Sequence, residues 1–462
     1  MVSGASQSVR AAERNENRGT LPRRLGVGPS TALIVGFVIG SGIFRSPSRV
    51  ALEAGSARMA LLAWALGGAF ALCGSLSLAE LGAMFPRAGG VYTFLYEAYG
   101  PAVAFLKGWV YLIVGPSAWA ALALIFAEYA RSFLPMSEMA LHLVALGLIA
   151  TLAAMGCRSV SLAAWVQTVS TWAKVAALLG MAAGLFFLGH HNRTEIVSAA
   201  EHRHLLGGLG LALVPVMFAY DGWNGFTAMS GEVRNPGRTI PVSLATGVIT
   251  VAAVYVIVNL AYFSALSFEV VQRSPQVASD AVTVIAGRAG ASIIALLVML
   301  STFSSLNATV ITDPRICFAM SKTGLFFGSV SRVHPRWGTP YVAILLNASL
   351  ACVYVLARSF DQLAEAFVLG VWPFLALAVA AVPVLRWTRP DLPRPYRTTA
   401  YPVVPALFVL ASAAMILNML YWHPISTAIS FGVMLIGLPV YWVWKRFAFT
   451  RKFDAIRQET MN

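Results

Sequence analysis

What most constrains this chain is a recurrence of uncharged apolar runs, each about as long as a bilayer is thick. Crossing the hydrocarbon core takes about 20 consecutive apolar residues. Runs without Asp, Glu, Lys or Arg occupy 25–44, 59–79, 108–127, 139–157, 239–268, 289–312, 337–357 and 366–385. Two further runs carry a single charge each, 159–189 (Lys174) and 205–231 (Asp221). The stretch 398–444 is long enough for two crossings and is divided at His423-Pro424. Together the runs predict an all-α membrane protein of about twelve transmembrane helices. None shows sustained strand alternation, so a β-barrel is not expected.

The charges agree with this. Only 11% of residues are charged, against about 25% in soluble domains, too few for water to solvate the surface. The net charge of +14 does not indicate nucleic acid, because the basic residues sit in short gaps between apolar runs and form no basic face interleaved with aromatics. With both termini cytoplasmic, the inner segments hold 22 Lys and Arg and the outer segments 9. That bias sets the orientation expected of a multi-pass protein in the plasma (inner) membrane. Residues 1–24 read as a cytoplasmic tail, 25–446 as one membrane domain and 447–462 as a second cytoplasmic tail. Cys73, Cys157, Cys317 and Cys352 lie in or beside apolar runs and read as free thiols.

Two runs depart from ordinary helix. The first contains Gly40-Ser41-Gly42, and glycine costs a helix about 1 kcal/mol relative to alanine. Either the helix unwinds there, or Gly36 and Gly40 allow close helix packing through a GxxxG spacing. The sixth run contains Tyr220-Asp221-Gly222-Trp223-Asn224-Gly225. An acid beside two glycines in mid-run is costly unless it lines a polar cavity. Paired breaks five helices apart are expected of an inverted repeat of five plus five helices, with the substrate held where the breaks meet. Half-helix N-termini favour an anion and freed carbonyls a cation, so a zwitterion suits both.

At this point the motifs resemble a known family. Gly40-Ser41-Gly42-Ile43-Phe44, Ala79-Glu80-Leu81-Gly82 with Pro86, Gly89-Gly90 and Tyr92, Phe218 to Trp223 with Gly231-Glu232 and Asn235-Pro236, and Leu306-Asn307-Ala308 with Pro314-Arg315, Ala319-Met320 and Thr339-Pro340 occur in order. They are similar to signatures of the amino acid–polyamine–organocation superfamily, in its L-type amino-acid transporter branch, over about residues 25–445. The resemblance implies a LeuT-type fold, with repeats at about 25–189 and 205–387 and two extra helices at 402–446. It implies that the substrate carboxylate meets the amides of Ser41, Gly42 and Ile43, and that its ammonium meets carbonyls near Ile39 and Phe218 or Ala219. Its side chain is expected near Tyr220 and Trp223, with Gly40, Gly222 and Tyr255 at the cavity. For Tyr255, packing between helices is the structural alternative. Asp221 stands where some relatives have glycine. We read it as a cap for the half-helix starting near Gly222, with attraction of a cationic side chain as the alternative. The loop 131–138 lacks the cysteine that bonds an accessory glycoprotein in animal members, so no disulfide-linked subunit is expected.

Lys174 lies about 22 Å along its helix from Ser159 at 1.5 Å per residue, too deep to snorkel. In the resembled branch such a lysine takes the place of a sodium ion, and its ammonium is expected to link the first break to Ser304, Ser305 or Asn307. Glu80, Lys107 and Glu128 are expected to stabilise loops and helix ends. His190, His191, His202 and His204 match no standard metal spacing, and no metal or cofactor is expected. An intramembrane enzyme is excluded by the lack of a mid-run His, HExxH or GxSxG. A channel would need continuous polar rings. The chain therefore reads as a secondary amino-acid transporter, for small or neutral substrates by exchange or proton-linked uptake, with a cationic amino-acid or polyamine carrier as the alternative. Lys174→Ala is expected to slow exchange in proteoliposomes severely or to uncouple its two directions; wild-type exchange rates in the variant would contradict this role.

Overall fold

The computed structural model of the protein describes residues 21–188, 205–274, 276–357, 360–422 and 424–459. The four outer-loop histidines, most of the first tail and the last residues of the second lie outside these. In chain order the helices are α1 (Val27–Val38), α2 (Gly42–Ala54), α3 (Ala57–Met84), α4 (Val91–Tyr99), α5 (Pro101–Ala130) and α6 (Glu138–Arg158). Next come α7 (Val160–Leu188), α8 (Leu205–Ala219), a 3-10 segment (Trp223–Glu232), α9 (Pro236–Ala265), α10 (Phe268–Arg273) and α11 (Val277–Ala286). The last are α12 (Arg288–Thr312), α13 (Pro314–Lys322), α14 (Tyr341–Ala357), α15 (Phe360–Thr388), α16 (Val403–Trp422) and α17 (Pro424–Glu459). Among the described residues there is no β-strand, only an isolated bridge from Leu25 to Val233.

Among the described residues seven helices are long and apolar enough to cross a membrane, eight if the bent pair α1–α2 is one span. The count expected from the uncharged runs is higher because some runs fold into shorter helices. α8 has 15 residues and stops at a break, and α14 has 17. Helix starts follow local chemistry. Ser56 and Ser137 accept hydrogen bonds from the amides of Met59 and Ala140 (3.3 and 3.2 Å), and prolines open α5, α9 and α13, where their missing N–H has no helical partner to lose.

The polarity of α7 is inverted relative to a soluble helix. Leu162, Trp165, Val169 and Trp172 face outward, with Trp165 63% exposed, whereas Gln167, Thr171 and Lys174 are fully buried. Residues three and four apart share a helix face, so one face is apolar and exposed and the other polar and enclosed. Only lipid makes that arrangement favourable. The molecule is a multi-pass helical membrane protein. α9 packs along α1, α3 and α7, and α2 lies against α8. A separate apolar cluster, including Leu124, Ile149, Leu306 and Ile344, joins α5, α6, α12 and α14.

Two buried ion pairs tie loops to this frame. Glu80 accepts from Arg386 (2.7 Å) and from the Thr398 amide (2.7 Å), with Arg394 at 3.6 Å. This is the helix-end role expected of Glu80. Glu128 likewise pairs at the surface with Arg45 (3.8 Å). Glu232 and Arg315 meet at 2.9 Å, each 1% exposed. Arg315→Met leaves the Glu232 carboxylate buried and unpaired, at a cost of about 3–5 kcal/mol. Thermal unfolding in detergent should show a large loss for Arg315→Met and a much smaller one for Glu232→Gln/Arg315→Met.

Candidate functional site

The first break occupies residues 39–41. α1 ends at Val38, α2 begins at Gly42, and the two axes bend by 50°. Unwinding frees carbonyls, and those of Gly36, Ile39 and Gly40 have side-chain donors. Lys174 Nζ donates to the oxygens of Gly36 (2.8 Å) and Ile39 (2.5 Å). Ser305 Oγ donates to the same two (3.0 and 3.2 Å), and Ser301 Oγ to Ile39 and Gly40 (3.0 and 3.1 Å). The amides of Ser41, Gly42 and Ile43, in the first turn of α2, have no acceptor among the described residues.

Both readings of the glycines in the first run describe part of the geometry. A Cβ on Gly36 would collide with Gln167 and Thr171 of α7, which is close helix packing. Gly40 sits in the break, and a Cβ on Gly42 would lie 2.7 Å from Ala219 Cα, so the two breaks touch.

The second break follows α8. Gly222 has φ +114°, a left-handed conformation that an L side chain resists, and a short 3-10 segment continues from Trp223. Gly222, not Asp221, holds the N-cap position. The Asp221 carboxylate accepts from Asn224 Nδ2 (3.1 Å), at the start of the 3-10 segment, and also lines a cavity. Tyr255 of α9 links the breaks: its hydroxyl lies within donating distance of both the Val38 oxygen (3.0 Å) and the Ala219 oxygen (2.9 Å).

A cavity of about 120 Å³ lies where both breaks meet α5 and α12. Gly40, Ser41, Gly42, Phe218, Ala219, Asp221 and Ser305 stand on its wall. Ile39, Ile43, Tyr220, Gly222, Trp223 and Tyr255 do not. Tyr220 turns away to donate to the Trp64 oxygen (3.0 Å), and Trp223 packs edge-on against Phe408 with ring centres 5.9 Å apart. Neither ring faces the cavity, and the Ile39 carbonyl is occupied by Lys174 and the two serines.

Around Lys174, Ser305 shares its carbonyls, but Ser304 and Asn307 form a neighbouring network. Gln167 Nε2 donates to Ser304 Oγ (3.1 Å), and Asn307 Nδ2 donates to Gln167 Oε1 (2.8 Å). Ser301 takes the place expected of them. Sequence reasoning also missed Phe37, Tyr111, Thr309 and Asp313 on the cavity wall. Asp313 closes the uncharged run 289–312 and reads there as a boundary charge. Its backbone is nevertheless helical (φ −59°, ψ −41°), joining α12 to α13, and its side chain is buried. Among the described residues no group of His, Cys, Asp and Glu could hold a metal ion.

Tyr255→Phe removes a hydroxyl that joins the breaks; the Val38 oxygen keeps the Gly40 amide (2.8 Å), but the Ala219 oxygen loses its side-chain donor, a change of about 1–3 kcal/mol. Transport should fall well beyond the loss of thermal stability; unchanged rates would remove Tyr255 from the machinery.

Comparison with known proteins assigns the family. A family model described as amino acid permease matches residues 25–444. The serine/threonine exchanger SteT of Bacillus subtilis (strain 168) is 32% identical over 430 residues, covering 92% of this chain and 98% of that protein. The cystine/glutamate transporter of Homo sapiens is 32% identical over 431 residues, covering 92% and 85%. The b(0,+)-type amino acid transporter 1 of Homo sapiens is 32% identical over 408 residues, covering 86% and 82%. The chain belongs to the amino acid permease family, in the L-type branch of the amino acid–polyamine–organocation superfamily, and is a transporter rather than an enzyme.

Proposed function

We propose that the protein carries small neutral L-amino acids by alternating access, through exchange or proton-linked uptake. The observation that carries this is the asymmetry of the first break: its carbonyls are taken, while three amides at the start of α2 have no acceptor among the described residues. A substrate carboxylate suits those amides. The Phe218 and Ala219 oxygens accept one hydrogen bond each from Asp221 N and Tyr255. A carbonyl has two lone pairs, so both can also receive a substrate ammonium. A cavity of about 120 Å³ suits a small amino acid better than a long one, and a relative of similar length is named a serine/threonine exchanger. In this reading Lys174 fills a cation site with a tethered ammonium.

The reading also takes the chain as twelve spans, with inverted repeats at about 25–189 and 205–387, two further helices at 402–446, and both termini cytoplasmic in the plasma membrane. It works without a disulfide-linked subunit, since 131–138 holds no cysteine. A second reading, transport of cationic amino acids or polyamines, is favoured by Asp221 on the cavity wall. Counterflow in proteoliposomes, with and without a pH gradient, separates the two. Uptake of serine, alanine or threonine is expected; uptake of arginine or putrescine without them would favour the second reading.

A further inference from the structure

Four charges surround the cavity between the breaks, and two of them are not used by the reading above. Asp221 and Asp313 line it, and Lys174 lies behind the first break, bound to the carbonyls of Gly36 and Ile39. The fourth is Lys107 of α5, 2% exposed. Its ammonium lies 4.5 Å from the ring centre of Tyr111, on the next turn of α5, and 5.8 Å from that of Phe374. Tyr111 is itself on the cavity wall and donates to Asp313 Oδ1 (2.5 Å), while Trp119 donates to Oδ2 (2.8 Å). Lys107 is thus one aromatic ring behind the Asp313 carboxylate.

Lys107 forms no ion pair within 4.0 Å among the described residues. A buried ammonium without a contact partner at membrane depth is costly, so its compensation must come at longer range. Through the Tyr111 ring it adjoins the Asp313 carboxylate. The next charged residue, Arg315, is already matched by Glu232. With all four groups ionised, the two wall carboxylates are matched by the two buried ammoniums behind the wall, and the set is neutral. A zwitterion without a charged side chain preserves that neutrality in a low-dielectric site, where a net charge is expensive.

We propose that Lys107 is a specificity-determining residue: by offsetting one of the two cavity carboxylates, it makes a doubly acidic pocket accept substrates with uncharged side chains. It acts through charge rather than by touching substrate. The inference rests on the substrate site proposed above. With Lys107 neutralised, the pocket gains one net negative charge and selects a cationic side chain. With Asp313 neutralised, it gains one net positive charge and disfavours it.

The test is a competition assay on the full chain in proteoliposomes, reading the ratio of arginine to serine uptake. Lys107→Met should raise that ratio at least about tenfold. Asp313→Asn should lower it, Lys107→Met/Asp313→Asn should return it close to wild type, and Lys107→Arg, which keeps the charge, should leave it near wild type. If Asp313→Asn does not fold because Tyr111 and Trp119 both require a carboxylate, Asp221→Asn replaces it with the same predicted sign. If Lys107→Met does not fold, the acid variant and the double variant decide. A wild-type ratio in Lys107→Met, two single variants shifting in one direction, or a double variant that does not return would overturn the proposal. A wild-type protein that carries only cationic amino acids would defeat the neutral-substrate reading. The opposite signs of the two single variants would still judge the role of Lys107.

Discussion

The site depends on how unpaired backbone groups are disposed of at membrane depth. Away from water, a carbonyl or amide released from a helix must find a partner or lose several kcal/mol. At residues 39–41 the carbonyls are gathered by one ammonium and two hydroxyls, from Lys174, Ser301 and Ser305. These groups hold the break open from two different helices. On the other side of the break the amides of Ser41 to Ile43 have no acceptor among the described residues. The contrast makes one side of the break structural and leaves donors unmet on the other.

The same pressure orders the surroundings. Gly42 allows the first break to touch Ala219 in the second, and Tyr255 reaches a carbonyl in each. The polar side of α7 lies inward against these groups, and its Leu and Trp side chains lie outward. Charge follows the same logic. The buried acids Glu80 and Glu232 are met by arginines at contact distance.

Much of this is legible in the sequence, for identifiable reasons. Glycine pairs around Ser41 and beside Asp221 mark the breaks because glycine weakens a helix interior and the two pairs recur five helices apart. Lys174 stands out as a lone charge inside an apolar run. Helix rotation is not legible in the same way. Ser301 and Ser305, one turn apart, share a face toward the break, while Ser304 and Asn307 face Gln167. Nothing in their composition distinguishes the two pairs. The directions of Tyr220 and Trp223 were hidden because helical periodicity fails at an irregular break. Asp313 was hidden because a charge at the end of an apolar run, followed by proline, looks like a boundary, whereas the backbone continues helically through it.

The central claim is that the two broken segments form one binding site. A cryo-EM structure with a transported amino acid bound tests it most directly. The expected density has its carboxylate against the amides of Ser41 to Ile43 and its ammonium toward Phe218 and Ala219. Density lodged elsewhere in the molecule, or continuous helix through residues 39–42 and 219–222, would contradict the claim.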